Sequence, residues 1–223
     1  MARTLYHLVL CPFARKVRVA LAEKGLEAVL RAEKVWERRP GFLALNPAGE
    51  VPVLVEDDET VVADSTAICE YLDERYEGAK LVPGDAKARA EVRRVALWFD
   101  LKFYREVTVN LVDEKVTKRM LGLGAPNSTA IRAGQTNLAT HLAYIAWLFE
   151  RRRWLGGDEF SLADIAAAAQ LSCVDYLGDV PWDDCEPARD WYARVKSRPS
   201  FRALLADHIP GVPPPRHYAD LDF

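Results

Sequence analysis

Apolar positions in the first third of the chain fall in short runs broken by charged stretches. Thr4 to Leu10 is almost wholly apolar and stops at Cys11-Pro12, which predicts a buried strand. Phe13, Val17, Ala20 and Leu21 then recur at helical spacing, with Pro12 suited to a first turn and Gly25 to a stop. Ala28 to Leu30 opens a second extended segment. Val51 to Val55 and Thr60 to Val62, separated by Glu56-Asp57-Asp58-Glu59, predict two strands joined by an acidic turn. Asp64-Ser65 caps a helix from Thr66 to about Tyr76, with Ile68, Tyr71 and Leu72 facing inward. Residues 1–80 therefore read as an α/β unit and residues 81–85 (Leu-Val-Pro-Gly-Asp) as a linker.

Beyond the linker the pattern becomes helical. Val92, Val95, Phe99, Phe103 and Val107 recur at three- and four-residue steps, as do Leu138, Leu142, Ile145 and Phe149. Ser161 and Asp164 have capping-box spacing, and Phe160 with Ile165 suits a hydrophobic staple. The following helix is apolar all round from Ile165 to Val174 and belongs inside a bundle. Residues 86–210 read as an all-helical unit and residues 211–223 as a tail stiffened by Pro213-Pro214-Pro215. The fold class is α/β followed by all-α.

Composition removes several function classes. The 223 residues carry 30 Lys and Arg against 33 Asp and Glu, a net charge of −3, so a nucleic-acid partner is not expected. The basic run Arg151-Arg152-Arg153 reads as the solvated end of a helix. No apolar run approaches the length needed to span a bilayer, and MARTLYHLVL lacks a cleavage pattern, so a cytoplasmic address without membrane insertion is expected. Cys11, Cys69, Cys173 and Cys185 show neither CxxC spacing nor a nearby His cluster, which argues against zinc, any other metal centre and a disulfide framework.

Four motifs occur in register: Cys11-Pro12-Phe13-Ala14-Arg15 at the first strand's exit, Asn46-Pro47-Ala48-Gly49-Glu50-Val51-Pro52-Val53-Leu54, Asp64-Ser65, and the Ser161–Asp164 box. With these the chain resembles the glutathione S-transferase family over nearly its whole length. The resemblance implies a thioredoxin-like N-terminal domain, a helical C-terminal domain, and a cis Pro52 that presents the Val51 backbone to the cysteinyl part of glutathione. It implies that Asp64-Ser65 receives the γ-glutamyl group, although Asp64 is shorter than the glutamate many members carry. Both features also have a purely structural reading, as a fold-making turn and an N-cap. Cys11 holds the position that handles the thiolate, and Cys-Pro-Phe-Ala resembles the omega class. Its place at a helix N-terminus beside Arg15, Lys16 and Arg18 favours an ionised sulfur; a half-buried strand end is the other reading.

Two features point elsewhere. Trp36 lies in a charged loop, Glu33-Lys34-Val35-Trp36-Glu37-Arg38-Arg39, and reads either as an interface anchor or as a cover over core or pocket. The tail mixes Arg216, Tyr218, Asp220, Leu221, Asp222 and Phe223, a blend suited to docking on a partner or to folding back on the helical unit. Together with Phe103 to Thr108 and Asp175 to Trp182, these segments resemble the branch of the family that serves alphaproteobacterial division by binding the tubulin homologue FtsZ. That likeness implies a cytoplasmic homodimer at the division site, partner contact through Trp36, Arg216, Tyr218, Asp220, Asp222 and Phe223, and a vestigial glutathione site at Val51, Pro52, Asp64 and Ser65. No catalytic residue or cofactor is then expected. The alternative is a glutathione-dependent thiol transferase using Cys11.

Overall fold

The computed structural model describes residues 2–221. Thr4–His7 (β1) pairs in parallel with Val29–Ala32 (β2), and the crossover this requires is Pro12–Glu23 (α1). Pro40–Leu45 (α2) follows the loop that carries Trp36. Val53–Val55 (β3) lies antiparallel to β1, and Val61–Ala63 (β4) antiparallel to β3, completing the order β2-β1-β3-β4. Ser65–Arg75 (α3) closes this thioredoxin-like unit, with Ile68 and Leu72 buried and Tyr71 packed at their edge. The first strand ends three residues short of the expected Leu10. From Leu8 the backbone turns, and the Cys11 N–H donates to the Leu8 carbonyl at 3.2 Å. β2 forms one edge of the sheet, and all four of its residues are exposed.

The connecting segment is pinned on both sides. Leu81 and Val82 are buried, and their N–H groups donate to the two Asp73 carboxylate oxygens at 2.8 and 3.2 Å. The Leu81 carbonyl accepts from Leu162 N–H at 2.7 Å.

Ala86–Leu97 (α4) runs without a break into a π-helical segment, Trp98–Thr117, and then Lys118–Leu121 (α5), stopped by Gly122 at φ +65°. The change of pitch shows in the sequence itself. Buried Phe99, Phe103, Val107, Leu111 and Val116 are spaced by four, four, four and five residues, and the wider π turn keeps them in line where an α-helix would drift. Ser128–Phe149 (α6), Leu162–Asp175 (α7), Glu186–Lys196 (α8) and Pro199–Leu205 (α9) complete the bundle. Every residue of α7 is buried, as its unbroken apolar pattern requires. The Ser161–Asp164 capping box forms. Phe160 also packs edge-on to Trp154 at 5.0 Å, beneath the Arg198 guanidinium at 3.9 Å.

The halves are joined by buried polar contacts as well as apolar packing. Lys16 Nζ lies 2.5 Å from Asp100 Oδ2, Arg15 Nη1 donates to Ser172 Oγ at 2.9 Å, and Arg198 binds both oxygens of Glu23 at 2.7 and 2.8 Å. Among the described residues no helix is long and apolar enough to cross a membrane, and no cluster suits a metal ion.

Candidate functional site

The residues singled out from the sequence lie at the β1 exit (Cys11), just before β3 (Val51–Pro52) and at the start of α3 (Asp64-Ser65). Cys11 sits at the N-cap of α1, half-buried, its Sγ 3.9 Å from the Val51 carbonyl oxygen. The Val51–Pro52 bond is cis. Asp64 adopts φ +74°, an uncommon backbone for a residue with a side chain. It holds that conformation while one carboxylate oxygen accepts from Thr66 N–H at 2.7 Å and Ala67 N–H at 3.0 Å. The N-cap reading of Asp64 is therefore realised, and Ser65 is buried beside it.

The sulfur does not meet the expected electrostatics. Burial pushes the Cys11 thiol up to about 11, outweighing the N–H groups of Phe13 and Ala14 at the helix start, which pull the other way. The three basic neighbours are already engaged. Arg15 binds the Val9 carbonyl, Ser172, Tyr218 and Asp207; Lys16 binds Asp100; Arg18 binds Asp207 at 2.7 Å. The facing wall is acidic as well. Burial first, then the charge of Asp113, pushes the Tyr104 phenol up to about 12, and burial raises Asp113. Phe13 packs on Tyr104 at 4.9 Å, so the entrance is aromatic and anionic. The expectation of an ionised Cys11 is corrected on these grounds: burial and the engagement of its basic neighbours favour the neutral thiol. Burial likewise pushes Cys69 and Cys173 up to about 12, in keeping with their reading as small apolar residues.

As a test, peptide-resolved alkylation of Cys11 by iodoacetamide at pH 7.5 should run roughly a hundredfold slower than for an unperturbed cysteine. A shift from 9.0 to about 11 removes that much thiolate. A rate equal to free cysteine would contradict the assignment.

Glutathione needs a backbone edge, a helix start and a cation for its carboxylate. The first two are present at Val51 and Asp64-Ser65. The third has a candidate that sequence reading missed: Arg38, which has no ion pair among the described residues and approaches Gly49, its Nη1 3.5 Å from where a Cβ would stand there. No sequence signal singles it out, since Lys34, Arg38 and Arg39 all lie within six residues of Glu33 or Glu37, and the pairing of Lys34 with Glu37 and Arg39 with Glu33 is decided by the fold.

The second set of candidates divides. Trp36, in a 3₁₀ turn over Val35–Glu37, is 40% exposed, and Arg216 and Asp220 are exposed. Tyr218 is not a surface anchor. It is fully buried, its hydroxyl accepts from Arg15 Nη1 at 2.9 Å and donates to the Leu204 carbonyl at 3.1 Å, and its ring meets Tyr176 edge-on at 5.2 Å. The tail thus folds back and uses Tyr218 as its plug, because a phenol both fills the gap between α1, α7 and α9 and satisfies a buried guanidinium. His217 adds a second tie, Nε2 to Asp175 Oδ1 at 3.2 Å, and this hydrogen bond raises its pKa. Asp222 and Phe223 lie outside the described residues.

A thioredoxin-like sheet unit with a cis-proline cleft, joined to a helical bundle with a capped, wholly buried central helix, defines the glutathione S-transferase family, and the chain belongs to it. Residues 5–80 match the glutathione S-transferase N-terminal domain and residues 125–199 the C-terminal domain. FtsZ-localized protein A of Caulobacter vibrioides is 48% identical over 224 aligned positions, covering 99% of this chain and 98% of the relative. Among solved structures, FzlA from C. crescentus superposes with a TM-score of 0.97 at 48% identity, covering 100% of both chains. A glutathione S-transferase from Rhodospirillum rubrum F11 also superposes at 0.97, with 59% identity over 99% of this chain and 100% of its own.

Proposed function

We propose that this chain is a glutathione S-transferase-fold scaffold of the bacterial division site, cytoplasmic and homodimeric, that binds FtsZ polymers and promotes constriction without catalysing a transfer. One observation carries the reading: the alignment with FtsZ-localized protein A, at 48% identity overall, covers 99% of the chain. The raised pKa of the half-buried Cys11 thiol supports it, since a thiol transferase needs a thiolate at working pH. Exposed Leu97 and Leu101, at 46% and 60%, offer apolar surface for a second copy. A two-fold dimer presents each docking patch twice and so holds a polymer through multivalency without tight single contacts.

The proposed contacts are Trp36, Arg216 and Asp220, with Asp222 and Phe223; Tyr218 acts by holding the tail in place. Co-sedimentation with FtsZ polymers tests this. Trp36→Ala and Asp220→Lys should each weaken pelleting about tenfold or more, as loss of an interface anchor does. Undiminished binding by both variants would remove these patches from the interface.

The retained cis Val51–Pro52 turn and Asp64-Ser65 start favour a second reading, a glutathione-dependent thiol transferase acting through Cys11. On the scaffold reading, calorimetry with glutathione shows no saturable heat at millimolar ligand, and Cys11→Ala complements a division defect. On the second reading, glutathione binds and Cys11→Ala abolishes thiol transfer.

A further inference from the structure

The Arg15 guanidinium is a joint between the tail and the turn that carries Cys11. Its Nε donates to the Val9 carbonyl at 2.8 Å, and its Nη1 donates to Tyr218 Oη and to Ser172 Oγ at 2.9 Å each. The nitrogens of a guanidinium share one rigid plane, so the Val9 carbonyl and the Tyr218 hydroxyl are held in fixed places relative to each other. Arg15 and Tyr218 have no exposed surface, and bonds made out of reach of bulk water are strong and costly to leave unmade.

The turn itself, residues 8–11, is half-buried. The Leu8 carbonyl accepts the Cys11 N–H within it, and the Leu10 carbonyl lies 3.3 Å from Cys173 Sγ, one position beyond Ser172 on α7. The joint therefore fixes the middle of the turn, two residues before the sulfur. On the other side, Tyr218 is the buried residue of the segment 211–221. The tail is seated around it by the Tyr176 hydroxyl, which donates to the Val212 carbonyl at 2.8 Å, and by Lys196 Nζ, which donates to the His217 carbonyl at 3.1 Å.

We propose that the tail is a strap that sets the accessibility of Cys11. When it is seated, Tyr218 fixes Arg15, Arg15 fixes the Val9 carbonyl, and the turn keeps the sulfur half-covered. When it is lifted, the guanidinium plane swings free and the turn opens around the sulfur. The two states differ by named contacts, as a coupling between distant places requires. Such coupling is reciprocal, so a bulky group on Cys11 favours the lifted tail. A partner that grips the tail is then sensed at the sulfur, and a modified sulfur is sensed at the tail. The inference is internal to the chain and stands with or without FtsZ or glutathione as a ligand.

Peptide-resolved alkylation of the full chain by iodoacetamide at pH 7.5 tests it. Tyr218→Phe keeps the ring and loses the hydroxyl, and should speed the Cys11 reaction about fivefold, the effect of one net hydrogen bond. Tyr218→Ala empties the seat and should speed it roughly tenfold or more, toward the release from burial that frees the thiolate. Cys69, buried in α3, reports any general loosening. Asp164→Asn, which lowers stability away from the joint, should leave the Cys11 rate unchanged. In the unmutated chain, N-ethylmaleimide confined to Cys11 by peptide mapping should speed tryptic release of residues 217–223 roughly fivefold or more. Three results would each overturn the proposal: Cys11 rates in both Tyr218 variants no higher than in the unmutated chain, Cys69 rising in step with Cys11 in a variant that still melts cooperatively, or a labelled chain cut no faster than the unlabelled one. The labelling arm needs no substitution, so it decides the matter where both variants fail to fold.

Discussion

Replacing Asp164 with alanine is expected to destabilise the protein by about 3–5 kcal/mol, a fall in Tm of roughly 6–20 °C. The carboxylate is completely buried and accepts from Leu155 N–H at 2.9 Å, Ser161 N–H at 3.2 Å and Trp191 Nε1 at 3.0 Å. Alanine leaves three buried donors unpaired, and leaving donors unsatisfied is the expensive part of losing a hydrogen bond. Asparagine should cost less, about 1–2 kcal/mol, because one oxygen still serves Leu155 and Trp191. The pH dependence distinguishes the two effects. Burial raises the Asp164 carboxyl from 3.8 to about 6, so the unfolded chain gives up this proton first and the group's contribution to stability falls as pH rises from about 4 to about 6. Urea denaturation should therefore show the advantage of the native residue over Asp164→Asn narrowing across that window and then holding steady. A gap that widens with rising pH would contradict the assignment.

Arg15→Met is the second large effect, about 2–4 kcal/mol from the buried hydrogen-bond partners it leaves unsatisfied, with a signature of its own in the tail. The guanidinium has no exposed surface and makes four kinds of contact: the Val9 carbonyl at 2.8 Å, Ser172 Oγ and Tyr218 Oη at 2.9 Å each, and Asp207 at 3.2 Å. Asp207 keeps Arg18, so the loss falls on the first three. Tyr218 then retains only the Leu204 carbonyl, and limited proteolysis should cut the native chain after Arg216 far more slowly than the variant. Lysine restores charge without the planar fork and should recover less than half of the loss. Melting unchanged in Arg15→Met would show that the buried network contributes nothing net.

What could be read from the chain follows the range of the interaction responsible. The Asp64 cap, the Ser161–Asp164 box, the Gly25 stop and the immersion of α7 depend on residues within a few positions, and each was legible. The end of β1 was not, because Leu8 to Leu10 are as apolar as a strand and only the turn back to Cys11 ends the ladder. The lengthened steps from Phe99 to Val116 were visible in principle, though an α-helical template absorbs a step of four without complaint. At the candidate site, the positions of Cys11, Val51, Pro52, Asp64 and Ser65 were readable but the state of the sulfur was not. The fate of Arg15, Lys16 and Arg18 is decided by Asp207 and Asp100, about 80 to 190 positions away. Tyr218 looked like a surface anchor for the same reason, since its acceptor role toward Arg15 spans the whole fold.

The pinned connection between the two units bears on how the molecule comes apart. Asp73 grips Leu81 and Val82, α1 leans on α7, and Lys16, Arg15 and Arg198 each cross the boundary to a buried or half-buried partner. Neither unit has a finished hydrophobic face without the other, so cleaving the chain after Lys80 would strand apolar surface on both pieces. The protein should therefore melt as one cooperative body, giving a single calorimetric transition that keeps its outward patches at fixed spacing until the whole structure is lost.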